Sequence, residues 1–250
     1  MRQPWPAQRL CIRVNDLPNI DLIAAHRHVQ QIAKAALSQL PAYITPSASE
    51  HSIAQVAHQM LCDLGAPETW YYSCPAFVLA GTRSCLSISG RDYQADQTLL
   101  GEHNLITVDL SPRIGGHWGD CARSFYLENG HVTPHPTTHD LSEGQDFLAS
   151  LHAAMLQFVT PNTCCSELFD WSAERITAAG FENLDFLGNV GHSIATQREN
   201  RTFIERDNPT LLGDLPFFTY EPHVRQKNGR WGFKHENIFY FDEHGCITEL

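Results

Sequence analysis

What this chain lacks narrows it first. No apolar run approaches the roughly 20 residues needed to cross a bilayer. The amino-terminal stretch MRQPWPAQRLCIRVND has no continuous apolar core of the signal-peptide kind. The cytoplasm is therefore the expected location, with no membrane partner. Basic residues are few, 17 Lys and Arg against 28 Asp and Glu, for a formal net charge of −11. That balance argues against a nucleic-acid-binding surface. None of the eight cysteines forms a CxxC pair, and a chain this long buries enough core to need no staples. Reduced thiols are expected, with Cys164–Cys165 in the first turn of a helix rather than a redox pair. Low-complexity segments are absent as well.

What is present is an ordinary globular composition, 42% hydrophobic and 18% charged over 250 residues, and a repeat. The stretch TPSASEHSIAQVAHQMLCDLG begins at Thr45, and TPNTCCSELFDWSAERITAAG begins at Thr160. At a constant offset of 115, Thr45, Pro46, Ile53, Leu61 and Gly65 align with Thr160, Pro161, Leu168, Ile176 and Gly180. Each copy reads as a polar helix start, an apolar stripe and a closing glycine. An amphipathic segment precedes each, Leu22–Leu40 and Leu141–Val159. Strands follow each: Pro75–Ala80, Leu105–Leu110 and His117–Leu127 around a turn at Pro112–Gly116, then Leu215–Glu221 and Arg230–Phe241 around a turn at Gln226–Gly229. Residues 1–20 read as an irregular arm and 128–140 as a linker. The expected organisation is one domain over 21–250, with halves at about 21–127 and 141–250.

Five residues of metal-ligand type run through this pattern in order. They are Asp109 and Asp120 in LITVDLSPRIGGHWGDCARSFYL, His192 in VGHSI, Glu221 in FFTYEPH and Glu236 in FKHENIFYF. Each sits in a short apolar or Gly-flanked stretch that reads as a buried strand or its end. Buried carboxylates need a partner or a metal. They also obey the repeat: Asp109 and Glu221 lie on outgoing strands, 112 apart, and Asp120 and Glu236 on return strands, 116 apart. Four carboxylates and one imidazole suit two divalent cations sharing a bridging water, with Mn, Fe, Co or Zn as the candidates.

With these residues in place, the chain resembles the pita-bread metallopeptidases, the group of methionine aminopeptidase, aminopeptidase P, prolidase and the metal-free creatinase. The matching features are two Asp about eleven positions apart, a His after Gly, a Glu before Pro222 and a late Glu, together with GDCARSF at Gly119–Phe125. The resemblance covers about residues 21–250. It implies an α/β (α+β) fold with a curved antiparallel sheet, outer helices and two pseudo-symmetric halves. It also implies that Asp109 chelates one metal, that Asp120 and Glu236 bridge both, and that His192 and Glu221 complete the second. Hydroxide would attack an amide carbonyl, with Glu221 as the catalytic proton shuttle. The implied activity is aminopeptidase- or dipeptidase-like, acting on a small peptide or peptide-like amide, with a homodimer as the candidate assembly.

The chain also departs from that pattern. No histidine lies between His58 and His103, where the family places one that contacts substrate, and Arg91 or Asp92 stands in its neighbourhood. Ile204-Glu205 falls where a second His-Glu is usual, and Ser193 follows His192 in place of Gly. Twenty residues before the domain cannot form the extra amino-terminal domain of prolidase, so proline specificity does not carry over. Two alternatives therefore stand beside the peptidase: an enzyme acting on a small metabolite with the same metals, and a peptidase-like binding module without turnover. Strand alternation puts Lys234 on the face of Glu236 and turns His235 away. By the same alternation Trp118 shares the face of Asp120, and His223 that of Glu221 if the strand continues past Pro222. His223, Arg91 and Trp118 are the candidate substrate contacts. Arg198 and Arg201 are further arginines able to bind a substrate carboxylate.

Overall fold

The chain uses one order of elements twice. In the computed structural model, which describes residues 18–250, the first half runs α1 (Ile20–Gln39), α2 (Glu50–Asp63), β1 (Glu68–Thr69), β2 (Ala76–Ala80), β3 (Asn104–Leu110), β4 (Pro112–Ile114), β5 (His117–Trp118), β6 (Cys121–Glu128) and β7 (His131–Thr133). The second runs α3 (His139–Phe158), α4 (Cys165–Ala178), β8 (Phe181–Asn183), β9 (Phe218–Tyr220), β10 (His223–Gln226), β11 (Gly232–Lys234), β12 (Asn237–Phe241) and β13 (Ile247–Glu249). The arm expected over 1–20 falls almost wholly outside the described residues, as does Cys11.

The helices form where capping and periodicity agree. Asn19 Oδ1 accepts from the amides of Asp21 and Leu22 at the start of α1. Ser49 and Ser52 bond reciprocally at the start of α2. Cys164 opens α4, where the Glu167 carboxylate accepts from its amide at 2.7 Å. That is the helix turn expected of the cysteine pair, and the seven described cysteines are all free. Ile53 and Leu61 on α2 match Leu168 and Ile176 on α4, and all four are buried. Gly65 and Gly180 close the two helices at φ +92 and +81, a conformation that favours glycine. No helix among the described residues is long and apolar enough to cross a membrane.

Hydrogen bonding divides the expected curved sheet into four antiparallel ladders, β2-β3-β6-β7, β1-β4-β5, β8-β10-β11 and β9-β12-β13. The two halves meet where Ala122 bridges Glu236, with the Glu236 amide donating to the Ala122 carbonyl at 3.0 Å. Ser124 Oγ accepts from the Lys234 amide at 2.9 Å beside this bridge. Ile106, Val108 and Leu127 pack under α1 and α2. Phe218, Phe233 and Phe239 pack under α3 and α4.

Three departures from the sequence reading have identifiable structural causes. The linker over 128–140 contains β7, because Asn129 and Gly130 both take positive φ (53 and 78) and turn the chain back on β6. The return strand over 117–127 is broken at Gly119–Asp120, and the one over 230–241 at His235–Glu236. At each break the strand changes partners: β5 pairs β4 and β6 pairs β3, while β11 pairs β10 and β12 pairs β9. Asp120 and Glu236 therefore stand at the two breaks, where the sheet gives way to the centre of the molecule.

Candidate metal centre

Each of the five residues is placed by backbone that has little freedom. Asp109 lies near the end of β3, paired across to Phe77 and Ala122. Asp120 is clamped from α1: Gln30 Oε1 accepts from its amide and Gln30 Nε2 donates to its carbonyl, both at 2.8 Å. Gly119 permits this approach, since a Cβ there would stand 2.9 Å from the Val29 carbonyl oxygen. The His192 amide donates to Thr219 Oγ1 at 3.0 Å. His192 Nδ1 lies 3.0 Å from the Ser193 carbonyl. With Nδ1–H donating there, Nε2 keeps its lone pair. That nitrogen lies 3.3 Å from Glu221 Oε1 and 3.5 Å from Asp120 Oδ2. Glu236 is fully buried at the junction of the halves.

The electrostatics follow from burial. Burial pushes the carboxyls of Asp120 and Glu236 well above the usual range, and neighbouring carboxylates push them further. Asp109 is also raised by burial, although Lys234 pulls against it. Burial would raise Glu221 too, but Lys234 and His192 outweigh it and leave its carboxyl lowered. Burial lowers His192 to about 4, so its ring is neutral near pH 7. Lys234 is held well above its ordinary value because the carboxylates around it outweigh its burial.

These residues fit a divalent cation. Asp120 Oδ2 and both carboxylate oxygens of Glu236 are buried without a hydrogen-bond partner among the described residues. Unpartnered buried oxygens of this kind are costly unless something positive meets them. Ligand atoms of Asp120, His192 and Glu236 lie within 4.8 Å of one another. An oxygen-rich set with one imidazole is hard-to-borderline in character. Asp109 is brought to the same place, but its Oδ2 is 2.5 Å from the Lys234 ammonium.

A cavity opens onto this floor, lined by Asp109, Asp120, His192, Glu221, His223 and Lys234. His223 also lines the cavity, although the strand is broken between Tyr220 and His223; its Nε2 lies 2.7 Å from the Ser84 carbonyl, and burial lowers it to about 4. Lys234 shares the site with Glu236, while His235 turns away and packs on His152, ring centroids 4.5 Å apart. Two candidates are corrected. Trp118 is 1% exposed and does not line the cavity. It stacks on Trp70 at 4.5 Å, and Trp70 is the ring that faces the opening. Arg91 is exposed behind the cavity wall, where its guanidinium donates to the Tyr72 hydroxyl at 3.3 Å. The strand break at Gly119–Asp120 removes the basis for sharing a face between Trp118 and Asp120, and the reading of Arg91 rests on its place in the sequence, which does not fix where its side chain goes.

Sequence reasoning singled out neither the aromatic run Trp70, Tyr71, Tyr72 nor the apolar lip of Leu86, Phe186 and Leu187, all of which line the cavity. The run TWYYSCP was the available signal for the first. Arg201 also lines the cavity, its guanidinium 5.1 Å from the rings of Trp70 and Phe203.

The sequence pattern of metallopeptidase family M24 matches residues 24–243. The chain belongs to that family. Among solved structures, this M24 chain is similar to the X-Pro aminopeptidase of Thermotoga maritima, at 17% identity over 94% of this chain and 62% of the other, TM-score 0.77. It is similar to the prolidase of Pyrococcus furiosus, at 18% identity, 95% and 66% coverage, TM-score 0.76. The Xaa-Pro dipeptidase of Bacillus anthracis gives 16% identity, 95% and 62% coverage, TM-score 0.76. The fold is thus the pita-bread fold of the M24 enzymes. In each comparison this chain spans less than two-thirds of the matched structure. A search of curated proteins finds no match.

Proposed function

We propose that the protein is a divalent-metal-dependent hydrolase that cleaves an amide bond, releasing an amino-terminal residue from a small peptide or peptide-like substrate. The observation that carries this reading is the set of three buried, unpartnered carboxylate oxygens from Asp120 and Glu236, facing His192 Nε2 at the floor of an open cavity. Family membership supports it, and residues 21–250 would act as one catalytic unit. Asp120, His192, Glu221 and Glu236 would hold a cation, with Asp109 beside them.

A divalent cation held there supplies Lewis acidity for the amide carbonyl and for the attacking water. The chain's own residues do the rest. Glu221 keeps one carboxylate oxygen toward His192 and the other 3.2 Å from Lys234, in the cavity. It is placed to take a proton from the attacking water and pass it to the leaving amine. Gln30 and Thr219 fix the backbones of Asp120 and His192, so the site is organised before substrate arrives. Arg201 and His223 are the proposed substrate contacts, and the Trp70–Tyr72 run and the Leu86–Phe186–Leu187 lip enclose the bound molecule.

The test is to strip the protein with a chelator, reload it with Mn²⁺ or Co²⁺, and assay a panel of dipeptides and aminoacyl amides by mass spectrometry. Metal-dependent release of the amino-terminal residue is expected, reduced at least ~100-fold in Glu236→Gln, because an uncharged amide is a poor ligand. A metal-loaded protein that cleaves none of the panel overturns the peptidase reading. One observation favours the small-metabolite alternative in that event: the segment after His192 brings Arg201, rather than a histidine, to the cavity.

A further inference from the structure

Lys234 stands inside the carboxylate cluster rather than at its edge. Its ammonium is 2.5 Å from Asp109 Oδ2, 3.2 Å from Glu221 Oε2 and 3.6 Å from Glu236 Oε2. The fully buried oxygens without a hydrogen-bond partner among the described residues are one from Asp120 and two from Glu236; Asp109 is partly exposed, and its Oδ2 accepts from the Lys234 ammonium. The ligand atoms that converge belong to Asp120, His192 and Glu236. Glu221 Oε1 completes that group, 3.3 Å from His192 Nε2. The acceptors awaiting a cation therefore gather at one seat, and an ammonium already covers the Asp109 side.

The ammonium takes one of the lone-pair sites of the Asp109 carboxylate and sets a fixed positive charge beside it. A dication placed against Asp109 would also face a like charge at close range in a water-poor site, where repulsion is strong. Lys234 is held there by the strand. It pairs with His223 across β10–β11, and its amide is fixed by Ser124.

We infer that this centre holds a single divalent cation, on Asp120, His192, Glu221 and Glu236, and that the Lys234 ammonium stands in the place of a second. The inference rests on the metal-hydrolase reading and narrows it. An ammonium has three donors. Asp109 takes one of them, and the carbonyl oxygen of an amide in the cavity, which Lys234 itself lines, would compete with Glu221 and Glu236 for the others. Hydrogen bonding from a fixed charge would then polarise the carbonyl where a second cation would coordinate it.

The experiment counts metal directly. Chelator-stripped protein is reloaded with excess Mn²⁺, desalted and measured by plasma mass spectrometry and by EPR. One ion per chain is expected, with the EPR signal of an isolated ion rather than a spin-coupled pair. Lys234→Ala is expected to raise the count to two by freeing Asp109, and Asp109→Asn to leave it at one. Two ions in the unaltered protein, a coupled EPR signal, a fall in the count in Asp109→Asn, or a count that stays at one in a folded Lys234→Ala each overturns the inference. The Asp109→Asn arm decides the matter if Lys234→Ala does not fold. A count of two leaves the amide-hydrolase reading standing, whereas a count near zero overturns both.

Discussion

Gln30 shows how a residue far from the chemistry in sequence controls it in space. It is fully buried on α1 and satisfies both the amide and the carbonyl of Asp120. Gln30→Leu leaves two buried backbone groups unpaired, and about 2–4 kcal/mol of stability should be lost by urea unfolding. Metal affinity should also fall roughly 10–100-fold, as for other residues that orient a ligand. Glu128 makes a prediction that depends on pH. Burial pushes its carboxyl up, but hydrogen bonds from Thr137 and Thr138, just before α3, pull it down further, to about 2. A carboxyl lowered by folding contributes stability above its unfolded value and loses it as pH falls toward the folded one. Glu128→Gln should therefore be less stable than the parent at pH 7. The difference in thermal midpoint should shrink between about pH 4.5 and 2. A difference that stays constant over that range would show that the carboxylate charge plays no part.

Among the elements, α3 meets the sheet at a glycine. A Cβ on Gly144 would stand 2.1 Å from Phe233 Cζ, and Phe233 is fully buried beside Lys234 on β11. Alanine ordinarily favours a helix over glycine by about 1 kcal/mol. Here overpacking at about 1–3 kcal/mol should win, so Gly144→Ala is expected to lower the thermal midpoint. Helices are legible because their periodicity and caps are local: apolar stripes mark α1 and α3, and a stripe with a closing glycine marks α2 and α4. Strand boundaries are less legible. β7 falls in a stretch that reads as linker although Asn129-Gly130 is a hairpin signal, and the breaks at Asp120 and Glu236 have no local signature. A break occurs when a strand changes partners, and the partner lies more than 100 residues away for Glu236.

For the molecule as a whole, the carboxylate cluster opposes folding until a cation meets it. Glu236→Gln removes a carboxyl whose ionised form burial and neighbouring carboxylates disfavour. That change should raise the thermal midpoint of the metal-free protein while abolishing the rise that metal produces. For the parent, metal at ~100 times its Kd is worth about 2.7 kcal/mol. For a chain of this size that is roughly 5–10 °C. Scanning calorimetry with and without Mn²⁺ measures both effects. A metal-free Glu236→Gln that melts lower than the parent would contradict the electrostatic account.

The sequence by itself determined the repeated helix–helix–strand order and the five residues that the structure gathers at the junction of the halves. Both depend on spacing, which survives in one dimension. Alternation put Lys234 with Glu236 and turned His235 away, and the structure keeps both although the strand changes partners at His235–Glu236. The tertiary structure alone decided what lies at the centre of the cluster and what lines its walls. That Lys234 reaches three carboxylates, that Trp70 rather than Trp118 faces the cavity, and that Arg201 enters it are facts about distance between segments. A pattern of parity fixes the side of a strand a residue occupies. It carries no record of which other segment the packed core brings against that side.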